Sequence, residues 1–358
     1  MLEDHTINRA AGKTNSAVLD LPKVVFGTSS LGNLYTALPE SVKMEIVKEC
    51  IDQSAGRVLF DSAGKYGAGL ALESLGKCLN ELKATPGKVM ISNKLGWFRT
   101  ELKTPEPTFE KGVWIDLKHD AVQMISYNGM MQCFEQGNEL LNGFIPEMVS
   151  VHDPDEYLAG AGSLEEENKR YEDILDAYRA LADLKAGGKV GSVGVGAKNW
   201  KVISRIVKDV KLDWVMIANS MTLKSHPPGL IKFLAALEQQ HIPVINSAVF
   251  HSGFLTGSNF YDYKVVAPDD PGHWPLFKWR NDFFTLCADF NVDPACACVI
   301  FALKAPGVKS VALNTSNPKR VKQNLDMVHA VIPDEFWVQM AEKGLIDNRD
   351  MVINKHTV

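Results

Sequence analysis

Three short runs decide the fold: Val190-Gly191-Ser192-Val193-Gly194-Val195, Trp214-Val215-Met216-Ile217-Ala218 and Pro243-Val244-Ile245-Asn246-Ser247. Two amphipathic stretches of helical length, Trp200–Val210 and Gly229–Gln240, separate them. The runs are apolar and partly β-branched but lack strict polar/apolar alternation, as expected of strands buried on both faces. Strand, helix, strand, helix, strand is the signature of a parallel α/β architecture.

The same alternation continues in both directions. Toward the N-terminus it predicts strands at Lys23–Phe26, Arg57–Phe60, Val89–Ser92 and Met148–Val151, with helices at Glu40–Ser54, Gly69–Leu82, Gly129–Leu141 and Glu165–Ala186. Toward the C-terminus it predicts a helix at Pro294–Lys304, a strand at Lys309–Leu313 and a last helix over Pro318–His329. Eight strands, each followed by a helix, predict a (β/α)8 TIM barrel rather than a doubly wound sheet. The 358 residues read as one domain, with residues 1–20 as an N-terminal extension or hairpin. Two segments fit no unit. Trp97–Asn128 carries Pro105, Pro107 and Gly112, and His251–Lys278 carries Pro268, Pro271, Gly272 and Pro275. Both read as long loops at the C-terminal rim, where long loops are usually functional.

Composition narrows the function. Hydrophobic residues are 46% of the chain, enough for a sizeable core. The formal charge is −5 with no long basic run, so nucleic acid is not an expected partner. No stretch reaches the roughly 18 apolar residues of a membrane span, and Met1–Lys13 has no apolar signal core. Six scattered cysteines, with only Cys296 and Cys298 close together, predict reduced thiols and no metal site. A cytoplasmic protein acting on a small molecule is expected; no residue pattern sets its oligomeric state.

In a barrel, chemistry sits at the C-terminal ends of the strands. The second strand is followed by Asp61-Ser62-Ala63-Gly64-Lys65-Tyr66-Gly67, the third by Asn93-Lys94, the fourth by His152-Asp153-Pro154-Asp155, and the fifth by Gly196 and Asn199. Singly, Asp61 reads as a capping residue, Tyr66 as a packing aromatic, Lys94 as a solvated lysine and His152 as a loop-bonding histidine. Together on one rim they make a general acid–base set. A tyrosine titrates near 10 when free, an adjacent Lys94 ammonium favours its phenolate, Asp61 holds that lysine, and His152 orients a substrate oxygen. Such a set needs a hydride partner that amino acids do not provide, and a nicotinamide does.

These residues resemble the aldo-keto reductase superfamily, whose tetrad of Asp, Tyr, Lys and His has its Asp and Tyr five apart, as Asp61 and Tyr66 are. The resemblance runs from Phe26 to about Leu345. The opening Gly27-Thr28-Ser29-Ser30-Leu31-Gly32-Asn33-Leu34-Tyr35, the stretch Val151-His152-Asp153-Pro154-Asp155 and Gly194-Val195-Gly196 are similar to the subgroup containing D-threo-aldose 1-dehydrogenase, L-fucose dehydrogenase and pyridoxal 4-dehydrogenase. So is the inserted segment between Lys94 and His152.

The resemblance implies catalytic roles for Asp61, Tyr66, Lys94 and His152, and an extended NAD or NADP without a Rossmann motif. It places cofactor contacts at Thr28 and Ser29, at Asn199 and Asn219, in the pyrophosphate loop Ser252-Gly253-Phe254-Leu255, and in Asn314-Thr315-Ser316-Asn317-Pro318-Lys319-Arg320-Val321-Lys322-Gln323-Asn324. Arg320 and Asn324 fall where the family contacts the adenosine end. Three positions depart from the family. Asn314 replaces a lysine common in NADP-preferring members, Ser247 stands where a nicotinamide-stacking aromatic is usual, and a glutamine after the sixth strand gives way to Ala218-Asn219. The implied reaction is oxidation of an aldose of L-fucose or D-threo type at its anomeric carbon to a lactone, with NAD+ used at least as well as NADP+. NADPH-dependent reduction of aldehydes or ketones, and a non-catalytic cofactor-sensing subunit, are the alternatives. Trp97, Trp274 and Trp279 lie in or beside the long loops and are candidates for stacking on a sugar or for packing.

Overall fold

Hydrogen bonds close eight parallel strands into a barrel in the computed structural model, which describes residues 19–262 and 264–347. The strands are β1 (Val24–Gly27), β2 (Val58–Ala63), β3 (Val89–Leu95), β4 (Met148–His152), β5 (Ser192–Ala197), β6 (Trp214–Ala218), β7 (Val244–Ser247) and β8 (Val308–Leu313). Each pairs with its neighbours in chain order, and β1 closes the ring by pairing with both β2 and β8. The layer outside the strands is α1 (Glu40–Gln53), α2 (Leu70–Glu81), α3 (Tyr127–Leu140), α4 (Leu164–Ala186), α5 (Trp200–Asp209), α6 (Pro228–Gln239), α7 (Pro294–Lys304) and α8 (Val321–Met327).

Packing explains the glycines in the deciding stretch. Val25, Leu59, Met90, Met148, Trp214 and Ile245 form one buried cluster from six strands. The indole of Trp214 lies so close to β5 that a Cβ on Gly194 would stand 2.3 Å from it. No side chain fits there, so the strand carries glycine. Larger clusters fill the space between strands and helices.

The structure differs from the sequence reading at strand ends and inside the long loops. β2 and β3 run past Phe60 and Ser92, pairing Asp61 with Ser92, Ser62 with Asn93 and Ala63 with Lys94. Polar residues that read as loop are therefore strand residues, because their charges are satisfied inside the barrel mouth. The expected loop over 97–128 contains an antiparallel hairpin, Trp97–Glu101 with His119–Gln123. The expected loop over 251–278 runs into a helix, Trp274–Asp289, with Pro275 in the first turn, where its missing N–H costs nothing. Helices Pro154–Ala159 and Asp334–Glu342 were likewise not expected from the sequence. The expected extension or hairpin at 1–20 lies outside the described residues up to position 18; Leu19 and Leu21 pack against the cluster around Trp214. Among the described residues, no single helix is long and apolar enough to cross a membrane.

Candidate active site

The ends of β2, β3 and β4 bring four titratable side chains together. Asp61 and Lys94, both buried, form an ion pair across the β2–β3 ladder. Ser92 Oγ donates to Asp61 Oδ1 at 3.1 Å, so both carboxylate oxygens are occupied. Thr28 fastens the end of β1 to the same residue, since its backbone N–H and its hydroxyl both donate to the Asp61 carbonyl at 3.0 Å.

Tyr66 follows on a tight turn. The turn is possible because Gly67 adopts φ +61°, and because a Cβ there would stand 2.3 Å from the Gly32 carbonyl oxygen. The Lys94 ammonium lies over the Tyr66 ring, 4.7 Å from its centroid. His152 meets the same ring edge-on at 5.6 Å, and Trp114 packs against it at 5.8 Å. Lys94 and His152 thus both meet the Tyr66 ring, with Asp61 holding the lysine.

The electrostatics differ from the sequence expectation in one respect. Burial pushes the Tyr66 phenol well above its usual value, helped by the Asp61 and Asp153 carboxylates, while Lys65 opposes the shift. The Lys94 charge is matched by Asp61 and faces the ring, so burial outweighs the expected lowering. His152 is pushed well below the ordinary imidazole value, first by burial and then by Lys94 and Lys65, so it is neutral at neutral pH. Its Nε2 lies 3.5 Å from Asp153 Oδ2, and its buried Nδ1 has no hydrogen-bond partner among the described residues.

The remaining candidates occupy the rim from β5 to β8 and the loop after β1. Ser30 Oγ shares its one proton between Asn314 Oδ1 at 2.9 Å and the Thr315 carbonyl at 2.8 Å, while Asn314 Nδ2 donates to Ser29 Oγ at 2.9 Å. The β1 loop and the β8 loop are therefore one polar unit. Thr315 Oγ1 accepts from the Asn317 N–H at 3.1 Å, Asn317 caps the turn Pro318–Arg320, Arg320 is exposed and Asn324 is buried. Asn219, in a left-handed conformation beyond β6, has a buried Oδ1 with no partner among the described residues. Asn199 Oδ1 is used differently, accepting from the Lys201 N–H at 3.0 Å to cap α5. Ser252 and Gly253 are left-handed, with φ of 57° and 87°. Leu255 is fully buried and its N–H donates to the Phe250 carbonyl, so its side chain serves the core. Ser247 Oγ donates to the Ile217 carbonyl at 3.1 Å and so ties β7 to β6.

Of the tryptophans in or beside the long loops, Trp97 packs on Phe109 and lies under the Lys65 ammonium. Trp279 packs on Phe283 and donates to the Leu345 carbonyl, and Trp274 is exposed on the surface. Trp114, on the inserted segment, is the indole that reaches Tyr66, and sequence reasoning missed it. Lys65 and Glu110 were missed as well: nothing in the stretch Asp61–Gly67 marks Lys65, whose acidic partners lie 45 to 91 positions away.

The barrel thus gathers an Asp–Lys pair, a partly buried tyrosine and a neutral histidine at one rim. The profile of the Aldo/keto reductase family matches residues 23–344, and the chain belongs to that family as an NAD(P)-dependent oxidoreductase. It is 26% identical over 349 residues to pyridoxal 4-dehydrogenase of Microbacterium luteolum, covering 94% of this chain and 97% of the relative. It is 24% identical over 344 residues to D-threo-aldose 1-dehydrogenase of a Pseudomonas species, covering 92% and 96%. Among solved structures, the holo form of an aldo-keto reductase from Bacillus halodurans shares the fold with a TM-score of 0.64 at 17% identity, over 90% of this chain and 92% of that one.

Proposed function

We propose that the enzyme oxidises an aldose at its anomeric carbon to the lactone, with Tyr66 as the general base. The observation that carries this reading is the Tyr66 ring, with the Lys94 ammonium over its face and the neutral His152 at its edge. Bound NAD(P)+ supplies the two-electron acceptor for the C–H bond. The chain's own groups do the rest. His152, neutral, orients the anomeric hydroxyl. The Tyr66 phenolate takes the hydroxyl proton. Asp61 and Lys94 hold a fixed charge pair beside it that needs no rearrangement during the reaction.

Supporting a cofactor along the rim, the Asn219 Oδ1, which has no partner among the described residues, suits a carboxamide, and the joined Ser29, Ser30 and Asn314 make a neutral cradle toward the exposed Arg320. Thr28, Ser252, Gly253, Thr315 and Asn324 border that path in this reading. The neutral cradle favours NAD+ at least as well as NADP+. Pyridoxal 4-dehydrogenase and D-threo-aldose 1-dehydrogenase, the two curated relatives, are named as dehydrogenases, which supports the oxidative direction. Six free thiols support a reducing compartment, the cytoplasm, for a single domain spanning the chain.

A second reading has its own observation. A phenol held well above its usual pKa is protonated at neutral pH, the form needed to reduce an aldehyde. A panel of aldoses and aldehydes with NAD+, NADP+, NADH and NADPH, followed by absorbance, separates the two. Aldose oxidation with NAD+ supports the first. Aldehyde reduction confined to NADPH replaces it with the second, and no turnover with any pair points to a cofactor-sensing subunit.

A further inference from the structure

Lys65 stands one residue before Tyr66, and its side chain is only 5% exposed. The ammonium lies 3.0 Å from Asp153 Oδ2, 3.0 Å from Glu156 Oε2 and 2.9 Å from Glu110 Oε1. These carboxylates come from two other segments: Asp153 and Glu156 from the end of β4 and the helix after it, and Glu110 from the inserted segment.

Each link leads back to Tyr66. Asp153 follows His152 directly, and the oxygen that meets Lys65 is the one 3.5 Å from His152 Nε2. Glu110 uses its other oxygen, Oε2, to accept from Trp114 Nε1 at 2.7 Å, and Trp114 packs on the Tyr66 ring. The insert is also fastened to the loop after β1: the Tyr35 N–H donates to the Val113 carbonyl, and the Ile115 N–H donates to the Asn33 carbonyl. A buried ammonium needs one carboxylate to balance its charge. Lys65 has three, and two of them carry a side chain that touches Tyr66.

We propose that Lys65 is a positioning residue for the reaction at Tyr66: through Asp153 it sets the imidazole of His152, and through Glu110 it seats Trp114 as the aromatic wall beside the reacting centre. A flat indole beside a hydroxyl-orienting imidazole suits the C–H face of a sugar ring. The inference rests on the reading of Tyr66 and His152 given above.

The two arms separate kinetically. Asp153→Asn and Glu110→Gln each leave Lys65 two carboxylates, so both variants are expected to melt cooperatively. Asp153→Asn is expected to lower kcat by about tenfold or more, with KM within about threefold of wild type. Glu110→Gln is expected to raise KM by about three- to tenfold, with the smaller effect on kcat. Lys65→Met should combine the defects and Lys65→Arg restore part of each; if Lys65→Met does not fold, the other two variants decide. Folded Asp153→Asn and Glu110→Gln proteins with both constants within about twofold of wild type would overturn the inference. So would the same fall in kcat and the same rise in KM in both variants, the mark of a merely structural brace. A wild type that turns over no aldose or aldehyde overturns the site reading and this inference with it; an active wild type with unmoved variants overturns the role of Lys65 alone.

Discussion

The rim at β2–β4 and the rim at β8 are both polar, but they are built differently. At β2–β4 the groups are charged and buried: Asp61, Lys94, Lys65 and Asp153 pair with one another around a tyrosine. At β8 they are neutral or exposed: Asn314, Thr315 and Asn317 bond to hydroxyls and backbone, and Arg320 faces solvent. Burial strengthens electrostatics and makes any unpaired charge costly. An end that moves protons gains from that. An end that grips a soluble ligand's charged groups gains more from exposed, preset donors. Substitutions should therefore cost far more at the first rim than at the second.

Lys94→Met tests the costly side. It leaves the buried Asp61 carboxylate without its cation, so denaturant melts should show a loss of about 3–5 kcal/mol. Turnover of the surviving folded protein should fall by about a hundredfold or more, since Tyr66 loses the ammonium over its ring. Unchanged stability and rate would place Lys94 with the tolerant rim.

The Tyr66 phenol gives the next effect. As base it must be the phenolate, and its raised pKa makes that form scarce at neutral pH. Oxidation should therefore quicken by about tenfold per pH unit on the acid side of that pKa, while reduction, which uses the phenol, stays flat through neutrality and falls only above it. Initial rates in both directions from about pH 6 to about pH 10 check the sign. A pH-independent oxidation rate would remove Tyr66 as the titrating base.

Gly32→Ala is a milder probe of the same rim. An added Cβ would stand 2.9 Å from the Tyr66 carbonyl carbon and oxygen, so the turn must shift. A fall in kcat of about tenfold, with cofactor affinity kept, is expected from a misplaced tyrosine. The smallest effect belongs to the β8 rim. Asn314→Lys adds an exposed cation where the proposed cofactor path brings a 2′-phosphate and gives up the bonds to Ser29 and Ser30. NADP+ should bind about two- to fivefold tighter and NAD+ no better, read as two dissociation constants. A wild type that already prefers NADP+ strongly would contradict the account of this rim.

The same contrast governs what the sequence revealed. The eight strands were legible because parallel strands buried on both faces are apolar runs bounded by turns, and β6 falls on its expected residues, Trp214–Ala218. The positions of Asp61, Tyr66, Lys94 and His152 were legible because each follows such a run. Strand ends were not, because Asp61 and Lys94 stay in the ladder with their charges neutralised by a partner 33 positions away. The hairpin at 97–123 was hidden for a like reason: its strands are separated by a segment of prolines, glycine and charge, and Trp114 acquires meaning only from Glu110 and Lys65. Pairings between distant residues leave no periodicity to read.

The central claim, that proton transfer at Tyr66 drives an NAD(P)-dependent oxidation, meets its most direct test in Tyr66→Phe. The change removes one oxygen and leaves the ring against Lys94, His152 and Trp114. Turnover with the best aldose should fall by about 10²–10⁴-fold while the cofactor dissociation constant stays within about twofold. A variant that keeps more than about half the wild-type rate would contradict the account.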